Sequence, residues 1–264
     1  MERVERIHIA NDADAWERGG RVKKVYYEPR SEPGLVLTGA SGSGKTFQAL
    51  MKLGKLGLNV TYDRENGIRA GPRAIISDFK GDRAFRFLLD GNNPYIRPEG
   101  MTTHYGYFKD AASAIRQYDN EFRSRLAGSS LVGSDDDSPF HLYIDELPSL
   151  LSSLPKAERS EMDSNIFQYL AMNRNLGLSL TLACQRFDSA WFSPGARENV
   201  CSRSGLGALS RDSAKMLFPE TDTIEPQGTG RGYYQAGATF TRIIVPFISD
   251  MEKLRLCIWR LVTW

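Results

Sequence analysis

The stretch GLVLTGASGSGKTFQAL, residues 34–50, places a glycine-rich turn between an apolar run and a segment whose apolar residues have helical spacing. The turn matches the pattern G-x-x-x-x-G-K-[ST] at Gly39, Gly44, Lys45 and Thr46. The apolar run predicts a buried strand, and the segment after the turn predicts a helix. A strand, a loop and a helix in this order are what a phosphate-binding loop requires. The alternative is an ordinary flexible glycine–serine turn.

Phosphate binding by such a loop has a simple physical basis. Its glycines let backbone N–H groups turn inward around the β- and γ-phosphates, at a helix N-terminus that already favours anions. Lys45 is then placed to reach the phosphates, and the Thr46 hydroxyl to hold Mg²⁺. We therefore predict that the chain binds a nucleotide together with Mg²⁺. The predicted nucleotide-binding residues are Gly39, Ala40, Ser41, Gly42, Ser43, Gly44, Lys45 and Thr46.

Composition and charge limit the class of protein. The chain has 264 residues, 41% hydrophobic and 25% charged, which suits one soluble α/β domain with a large core. Its formal net charge of +2 excludes a basic coat over the whole surface but allows a local basic patch. The three cysteines show no metal-binding spacing, and neither a signal peptide nor an apolar run of membrane-spanning length is present. We therefore expect a cytoplasmic protein, recruited to a membrane complex or a capsid if it works there.

Hydrophobic periodicity along the chain indicates an α/β fold. Strands that alternate with helices predict a mainly parallel sheet with helices on both faces, in a single domain overall. Residues 1–33 are expected to form a small β-rich lead-in, and residues 34–264 the main domain. The acidic segment AGSSLVGSDDDSP is predicted to be a loop. Beyond the strand and helix of the opening stretch, the predicted strands are residues 74–77, FHLYIDEL and LSLTLACQ, and the predicted helices are DAASAIRQYDNEFRSRL, RSEMDSNIFQYLAMNRNLG and MEKLRLCIWRL.

Two acidic residues follow the apolar run of HLYIDEL. Asp145 and Glu146 are thereby placed at the C-terminal end of a strand, where ligands bind in a parallel sheet. Asp145 can enter the Mg²⁺ shell there, and Glu146 can polarise a water for in-line attack on a γ-phosphate. The alternative is an ordinary polar strand end.

A polar amide ends the predicted strand LSLTLACQ. Gln185 at this strand tip, beside the strand of Asp145 and Glu146, can hydrogen-bond a γ-phosphate or the attacking water. The alternative is that Gln185 only caps a loop.

The order of these blocks along the chain carries a family resemblance. The series GASGSGKT, SDFKGD, LYIDEL, NRNLGLSLTLACQRFDS, NVCSRSGLGALSRDSAKMLF, GRGYYQAG and VPFISD resembles the motor domain of the FtsK/SpoIIIE/HerA superfamily. The resemblance extends over residues 34–250. The GKT loop is generic to many nucleotide-binding proteins, whereas R-x-x-G…A-C-Q-R and N-V-x-S-R are more specific. SDFKGD resembles the family's DPKG element, with Phe79 in place of the proline.

The resemblance implies a RecA-like P-loop fold and an ATPase that moves double-stranded DNA as a homo-oligomeric, hexameric ring. Lys45 and Thr46 match the family's phosphate and Mg²⁺ residues. Asp145 matches the metal residue, Glu146 the water-activating residue and Gln185 the sensor of the γ-phosphate.

Arginine fingers are also implied by the resemblance. Arg174, in RNLG, falls where the family places an arginine that reaches a neighbouring subunit's nucleotide, and Arg203, in CSRS, is a second candidate. Arg186 and Arg211 remain alternatives. A guanidinium group suits this role because it neutralises charge spread over the transferring phosphoryl oxygens. The alternative for each arginine is an ion pair at the surface or at an interface.

The chain shows neither a C-terminal winged-helix module nor an N-terminal membrane anchor. We therefore expect it to grip DNA phosphates rather than bases, independently of sequence. Candidates for this contact are Arg83, Arg86, Lys156 and Arg159, with a solvated charged face as the alternative.

The expected function is viral genome packaging or conjugative DNA transfer. The main alternative is a protein or virion export ATPase, and a third is a nucleotide-binding regulatory subunit without turnover. Stimulation of ATP hydrolysis by duplex DNA distinguishes the first from the second.

Overall fold

The strands of the molecule belong to one large sheet and one separate two-stranded pair. The computed structural model describes residues 6–63, 68–89, 105–128, 138–192, 194–221 and 224–264, and most of the predicted acidic loop lies outside them. The strands are β1 (Ile7–Asp12), β2 (Lys24–Tyr27), β3 (Gly34–Thr38), β4 (Thr61–Asp63), β5 (Ile68–Ala70), β6 (Arg73–Asp78), β7 (Tyr107–Phe108), β8 (Phe140–Asp145), β9 (Leu178–Cys184), β10 (Ser202–Leu206), β11 (Arg231–Ala236) and β12 (Thr239–Ile244).

The ten-stranded sheet has the order β2-β1-β12-β11-β10-β3-β9-β8-β6-β7. The strands from β10 to β7 pair in parallel, whereas β11, β12, β1 and β2 pair antiparallel. β4 and β5 form the separate pair. All parallel strands end at the same side of the sheet, which we call the carboxyl edge. β9 lies between β3 and β8, so the segments after these three strands are neighbours at that edge.

Helices cover both faces of the sheet. On one face, α2 (Lys45–Gly57) and α8 (Met251–Val262) pack on a core that contains Leu35. On the other face, α3 (Ala111–Leu126) and α5 (Lys156–Leu176) pack on a core that contains Val36. This alternation within β3 confirms the predicted α/β fold with a mainly parallel, two-sided sheet. Within the described ranges, no helix has both the length and the apolar character needed to cross a membrane. The helices are α1 (Ala13–Gly19), α2 (Lys45–Gly57), α3 (Ala111–Leu126), α4 (Leu147–Ser153), α5 (Lys156–Leu176), α6 (Pro194–Glu198), α7 (Arg211–Leu217) and α8 (Met251–Val262), with a 3₁₀ helix at Arg83–Leu88.

The N-terminal segment differs from the prediction by one helix. Helix α1 lies between β1 and β2. At its N-terminus the Asp12 side chain accepts a hydrogen bond from the Ala15 N–H at 3.0 Å, and Gly20 is its C-cap. Only Ala13 of this helix is buried, so the helix needs no apolar face. Its sequence therefore lacks the hydrophobic periodicity by which a helix is predicted. β1 joins the large sheet through β12, and β2 forms its outer edge.

Two glycines let helix α2 approach α8 closely. A Cβ atom on Gly57 would lie 2.0 Å from the Cys257 carbonyl oxygen, and one on Gly54 would lie 2.1 Å from Leu254 Cδ1. The backbone carbonyl cannot move aside as a flexible side chain does. The contact of α2 with α8 therefore depends on Gly57 having no side chain.

Gly57→Ala is expected to destabilise the protein by about 3 kcal/mol, because overpacking a buried contact forces the two helices apart. Urea unfolding followed by circular dichroism measures this change. Gly19→Ala is the matched control, because a Cβ on that helical glycine meets no atom within 4 Å. An unchanged midpoint for Gly57→Ala would contradict the close α2–α8 contact.

Candidate nucleotide-binding site

The glycine-rich loop connects β3 to α2 at the carboxyl edge, as the sequence predicts. Gly44 is the N-cap of α2 with φ 103°, and Gly42 has φ 77°, conformations that favour glycine. No side chain caps the N-terminus of this 13-residue helix, and its first turn contains no acidic residue. The backbone N–H groups and the helix dipole are thus available to an anion.

Lys45 faces the loop that precedes it. Its Nζ atom donates hydrogen bonds to the carbonyl oxygens of Gly39 and Ala40, the latter at 3.1 Å. Burial lowers the pKa of Lys45, and the nearby Glu146 carboxylate opposes that shift. The Ser43 hydroxyl is buried without a hydrogen-bond partner among the described residues. A desolvated amine and an unpaired hydroxyl beside an uncapped helix suit the binding of a phosphate group.

The acidic pair and the glutamine meet next to this loop. Asp145 ends β8 and Glu146 follows it, whereas β9 ends at Cys184, one residue before the predicted Gln185. The Gln185 backbone N–H donates to Glu146 Oε1 at 3.3 Å. The neighbouring β8 and β9 therefore bring these predicted site residues together.

Asp145 is a buried carboxyl group. Burial raises the pKa of Asp145 to about 6, and the negative charges of Asp78 and Asp82 raise it as well. The Tyr143 hydroxyl, which donates a hydrogen bond to Asp145 Oδ1 at 3.0 Å, opposes this shift. Asp78 lies directly opposite Asp145 in the pairing of β6 with β8. A cation placed here would stabilise the ionised carboxylate, as is expected of a metal ligand.

Glu146 has an unusual backbone. Its φ of 57° makes it the one non-glycine residue with positive φ in the part of the chain that the structure describes. Such a conformation costs about 1–3 kcal/mol and is typical of functional sites. Glu146 turns the chain from β8 into α4, and only 6% of its surface is exposed. The strained turn holds its carboxylate at the carboxyl edge.

The segment SDFKGD contributes contacts that the sequence analysis did not assign. Lys80 Nζ lies 2.8 Å from Glu146 Oε2, and the Thr46 hydroxyl donates to Asp82 Oδ2 at 3.4 Å. The Asp82 N–H in turn donates to Asp78 Oδ1 at 2.9 Å. The signal in the sequence was the resemblance to a DPKG element; the contacts arise because β6 lies beside β8.

Part of the chain is similar in sequence to a known protein. No family model matches the chain. It is 30% identical over 101 residues to the FtsK domain-containing protein YdcQ of Bacillus subtilis (strain 168), a match that covers 38% of this chain and 21% of that protein. The match thus spans about a fifth of that relative's length.

Two solved structures share the fold over almost the whole chain. The pCW3 conjugation coupling protein TcpA, a monomer form with ATPγS, has a TM-score of 0.67 at 17% identity, covering 96% of this chain and 68% of that one. EssC (ATPases 2 and 3) of Geobacillus thermodenitrificans has a TM-score of 0.65 at 14% identity, covering 99% and 49%. Part of the chain is thus similar in sequence to an FtsK domain-containing protein, and the whole chain has the fold of P-loop ATPases. The predicted resemblance and the RecA-like fold are confirmed.

Arg174 lies far from the glycine-rich loop between β3 and α2. It is in the last turn of α5, and its guanidinium donates to the Ser31 carbonyl oxygen at 2.7 Å. Ser31 precedes β3, so it lies at the opposite edge of the sheet, roughly 16 Å or more from the loop, given the rise per residue of a strand. Within the described part of the chain, this is the one hydrogen bond of the guanidinium, and the Arg174 side chain is exposed.

Arg203 is also separate from the glycine-rich loop and the Asp145–Glu146 pair. It lies within β10, paired in register with Val36 of β3, and donates to the Arg197 carbonyl oxygen at 3.1 Å. Its side chain is half-buried, and burial lowers its pKa. Neither Arg174 nor Arg203 is brought together with Lys45, Asp145 and Glu146.

Proposed function

We propose that this chain hydrolyses ATP and uses the energy to move a polymer. The observation that carries this proposal is the convergence of the Lys45–Thr46 loop, Asp145–Glu146 and Gln185 at the ends of three adjacent parallel strands. These are the groups that phosphoryl transfer to water needs, namely an anion cradle, a metal ligand, a water-orienting carboxylate and a polar sensor.

Each group has one role in this proposal. The backbone of the loop and Lys45 hold the phosphates, while Thr46 and Asp145 hold Mg²⁺, which commonly binds through one or two carboxylates and substrate phosphates. When bound, Mg²⁺ supplies positive charge against the phosphate oxygens. Glu146 orients and polarises the attacking water, and the Gln185 amide hydrogen-bonds that water or the γ-phosphate.

The proposed active form is a homo-oligomeric ring, with a hexamer as the expected size. Arg174 cannot reach its own subunit's nucleotide, because its anchor on Ser31 lies at the other edge of the sheet. The anchor uses one nitrogen and leaves other N–H donors of the exposed guanidinium for a neighbour's γ-phosphate. We therefore keep Arg174 as the first candidate for an arginine finger in trans and Arg203 as the second.

We propose double-stranded DNA as the polymer, in genome packaging or conjugative transfer. A groove of about 500 Å³ lies between α5 and the loop after β9. Its lining includes Lys156, Arg159 and Trp191, and the Arg159 guanidinium lies 4.8 Å from the centre of the Trp191 ring. The two walls follow the site residues in the chain: Lys156 comes ten residues after Glu146, and Trp191 six residues after Gln185. Cations here suit a phosphate backbone and confer no base specificity.

Export of protein is the second candidate. The likeness to EssC, with a TM-score of 0.65, is close to that of TcpA, and a similar structure is that of EccC (ATPases 2 and 3) of Thermomonospora curvata in complex with a signal sequence peptide. Both functions use the same proposed hydrolysis and differ in what the ring holds.

Duplex DNA of any sequence is expected to stimulate ATP hydrolysis. Binding to phosphates releases counterions, so stimulation falls steeply as salt rises and differs little between random and AT-rich duplexes of equal length. The measurement is the ATPase rate against DNA concentration at two salt levels, with single-stranded DNA for comparison. A double Lys156→Ala, Arg159→Ala variant is expected to lower the logarithmic salt slope by about 2.

Arg21→Ala, Lys24→Ala is the matched control, because both residues are exposed near the outer edge of the sheet. It is expected to respond to DNA as the unmodified protein does. A rate indifferent to duplex at low salt, in a preparation with a ring-sized mass, would favour the export function.

A further inference from the structure

Lys80 holds the carboxylate that is proposed to activate water. Its Nζ atom lies 2.8 Å from Glu146 Oε2, while the Gln185 N–H donates to Glu146 Oε1 at 3.3 Å. The Glu146 side chain is 7% exposed and that of Lys80 37%. Both oxygens of a nearly buried carboxylate are thus engaged by the protein.

This arrangement is unsuited to water activation. A carboxylate that polarises a water must accept a hydrogen bond from it, and an ion pair with a lysine competes for the same oxygen. The loop that carries Lys80 also carries Asp82, which accepts a hydrogen bond from the Thr46 hydroxyl. One loop therefore occupies both the proposed water-activating residue and a proposed Mg²⁺ residue.

Lys80 is also near the place of the phosphates. Asp82, two residues after it, accepts a hydrogen bond at 3.4 Å from the hydroxyl of Thr46, the residue that follows Lys45. A triphosphate bound at Lys45 carries several negative charges, whereas Glu146 carries one. The triphosphate therefore attracts the Lys80 ammonium more strongly. The long, half-exposed lysine side chain can turn from one to the other without movement of the backbone.

We propose that Lys80 exchanges partners, binding Glu146 as seen here and the γ-phosphate when ATP is bound, which frees Glu146 to activate water. This inference rests on the proposed function of the site. ADP has no γ-phosphate, so with ADP bound Lys80 stays paired with Glu146. Glu146 is then not available to activate water. Lys80 is accordingly a residue that distinguishes ATP from ADP.

The test compares binding of ATPγS and ADP, each with Mg²⁺, by isothermal titration calorimetry. Lys80→Met is expected to weaken ATPγS binding about tenfold or more, because one hydrogen bond to a charged group is lost, and to leave ADP binding unchanged. Lys80→Arg is expected to keep most of the preference for ATPγS. A lysine that merely shapes the loop would change the affinity for both nucleotides alike. Lys24→Met, at an exposed position on β2, is the matched control.

Exchange of partners, rather than simple contact with the phosphate, is tested by a double-mutant cycle. Glu146→Gln removes the competing ion pair, so it is expected to tighten ATPγS binding by an amount that disappears in the Lys80→Met background. An equal effect of Glu146→Gln in both backgrounds would overturn the exchange.

The two proposals fail in different ways. Unmodified protein that binds neither nucleotide would overturn the proposed function and this inference with it. Unmodified protein that binds both, with the same ATPγS-to-ADP ratio in Lys80→Met, would overturn the role of Lys80 alone.

Discussion

Glu146→Gln is expected to bind ATP and to hydrolyse it at least about a hundredfold more slowly than the unmodified protein. Glutamine keeps the shape of the side chain and an oxygen that can accept from the Gln185 N–H, but it lacks the charge that polarises the attacking water. The strained backbone at position 146 is the same in both proteins. The substitution is therefore expected to slow turnover without weakening nucleotide binding or disturbing the fold. Phosphate release under saturating ATP, with binding of ATPγS measured separately, resolves the two.

Two controls make this result interpretable. Lys45→Ala is expected to lose most ATP affinity, because it removes the charge that faces the phosphates. It shows the result that a loss of nucleotide binding gives in the same assays. Glu252→Gln, an exposed glutamate in the first turn of α8, is expected to turn over normally. Normal turnover by purified Glu146→Gln would remove Glu146 from the mechanism.

Arg174→Ala is expected to bind ATP and to lose at least about a hundredfold in hydrolysis, if its guanidinium neutralises charge on a neighbour's transferring phosphoryl group. Mixing Arg174→Ala subunits with Lys45→Ala subunits is then expected to restore part of the activity. A Lys45→Ala subunit, which lacks its own nucleotide, still presents Arg174 to the intact phosphate-binding loop of its neighbour. The measurement is ATPase rate against the mixing ratio, with ring formation followed by light scattering.

The geometry of Arg174 gives this test a clear alternative. Loss of the hydrogen bond to the Ser31 carbonyl would lower the stability of each Arg174→Ala subunit whatever its neighbour carries. Absence of rescue at every ratio, with rings still present, would argue against action in trans. Arg203 would then be the next candidate.

The parts of the site that the sequence predicted are those encoded locally. Residues 35–37 are apolar and buried on both faces, and the glycine pattern after them needs no partner from elsewhere to be recognised. The same holds for β8 and β9, whose continuous burial follows from parallel strands covered by helices on both sides. The ends of these strands identify Asp145, Glu146 and Gln185 because parallel strands share one edge.

The parts that the sequence did not predict depend on which strands are neighbours. Lys80 meets Glu146 across 66 positions of chain, and only the pairing of β6 with β8 brings them together. The sequence did not predict β10, β11 and β12 as three distinct strands of the C-terminal region. One reason is that β12 is largely exposed or half-buried and lacks a continuous apolar run. Helix α4, seven residues long, is too short for its periodicity to be distinguished from the strand before it.

The left-handed backbone of Glu146 has a consequence for how relatives of this chain diverge. At φ 57°, glycine or asparagine would relieve the strain, so stability alone favours replacing the glutamate. Only a functional need for the Glu146 carboxylate opposes its replacement by glycine or asparagine. A copy released from the need to hydrolyse nucleotide would be expected to acquire one of these residues at position 146, while its phosphate-binding loop still held ligand. The residue at position 146 would thus distinguish a relative that hydrolyses nucleotide from one that only binds it.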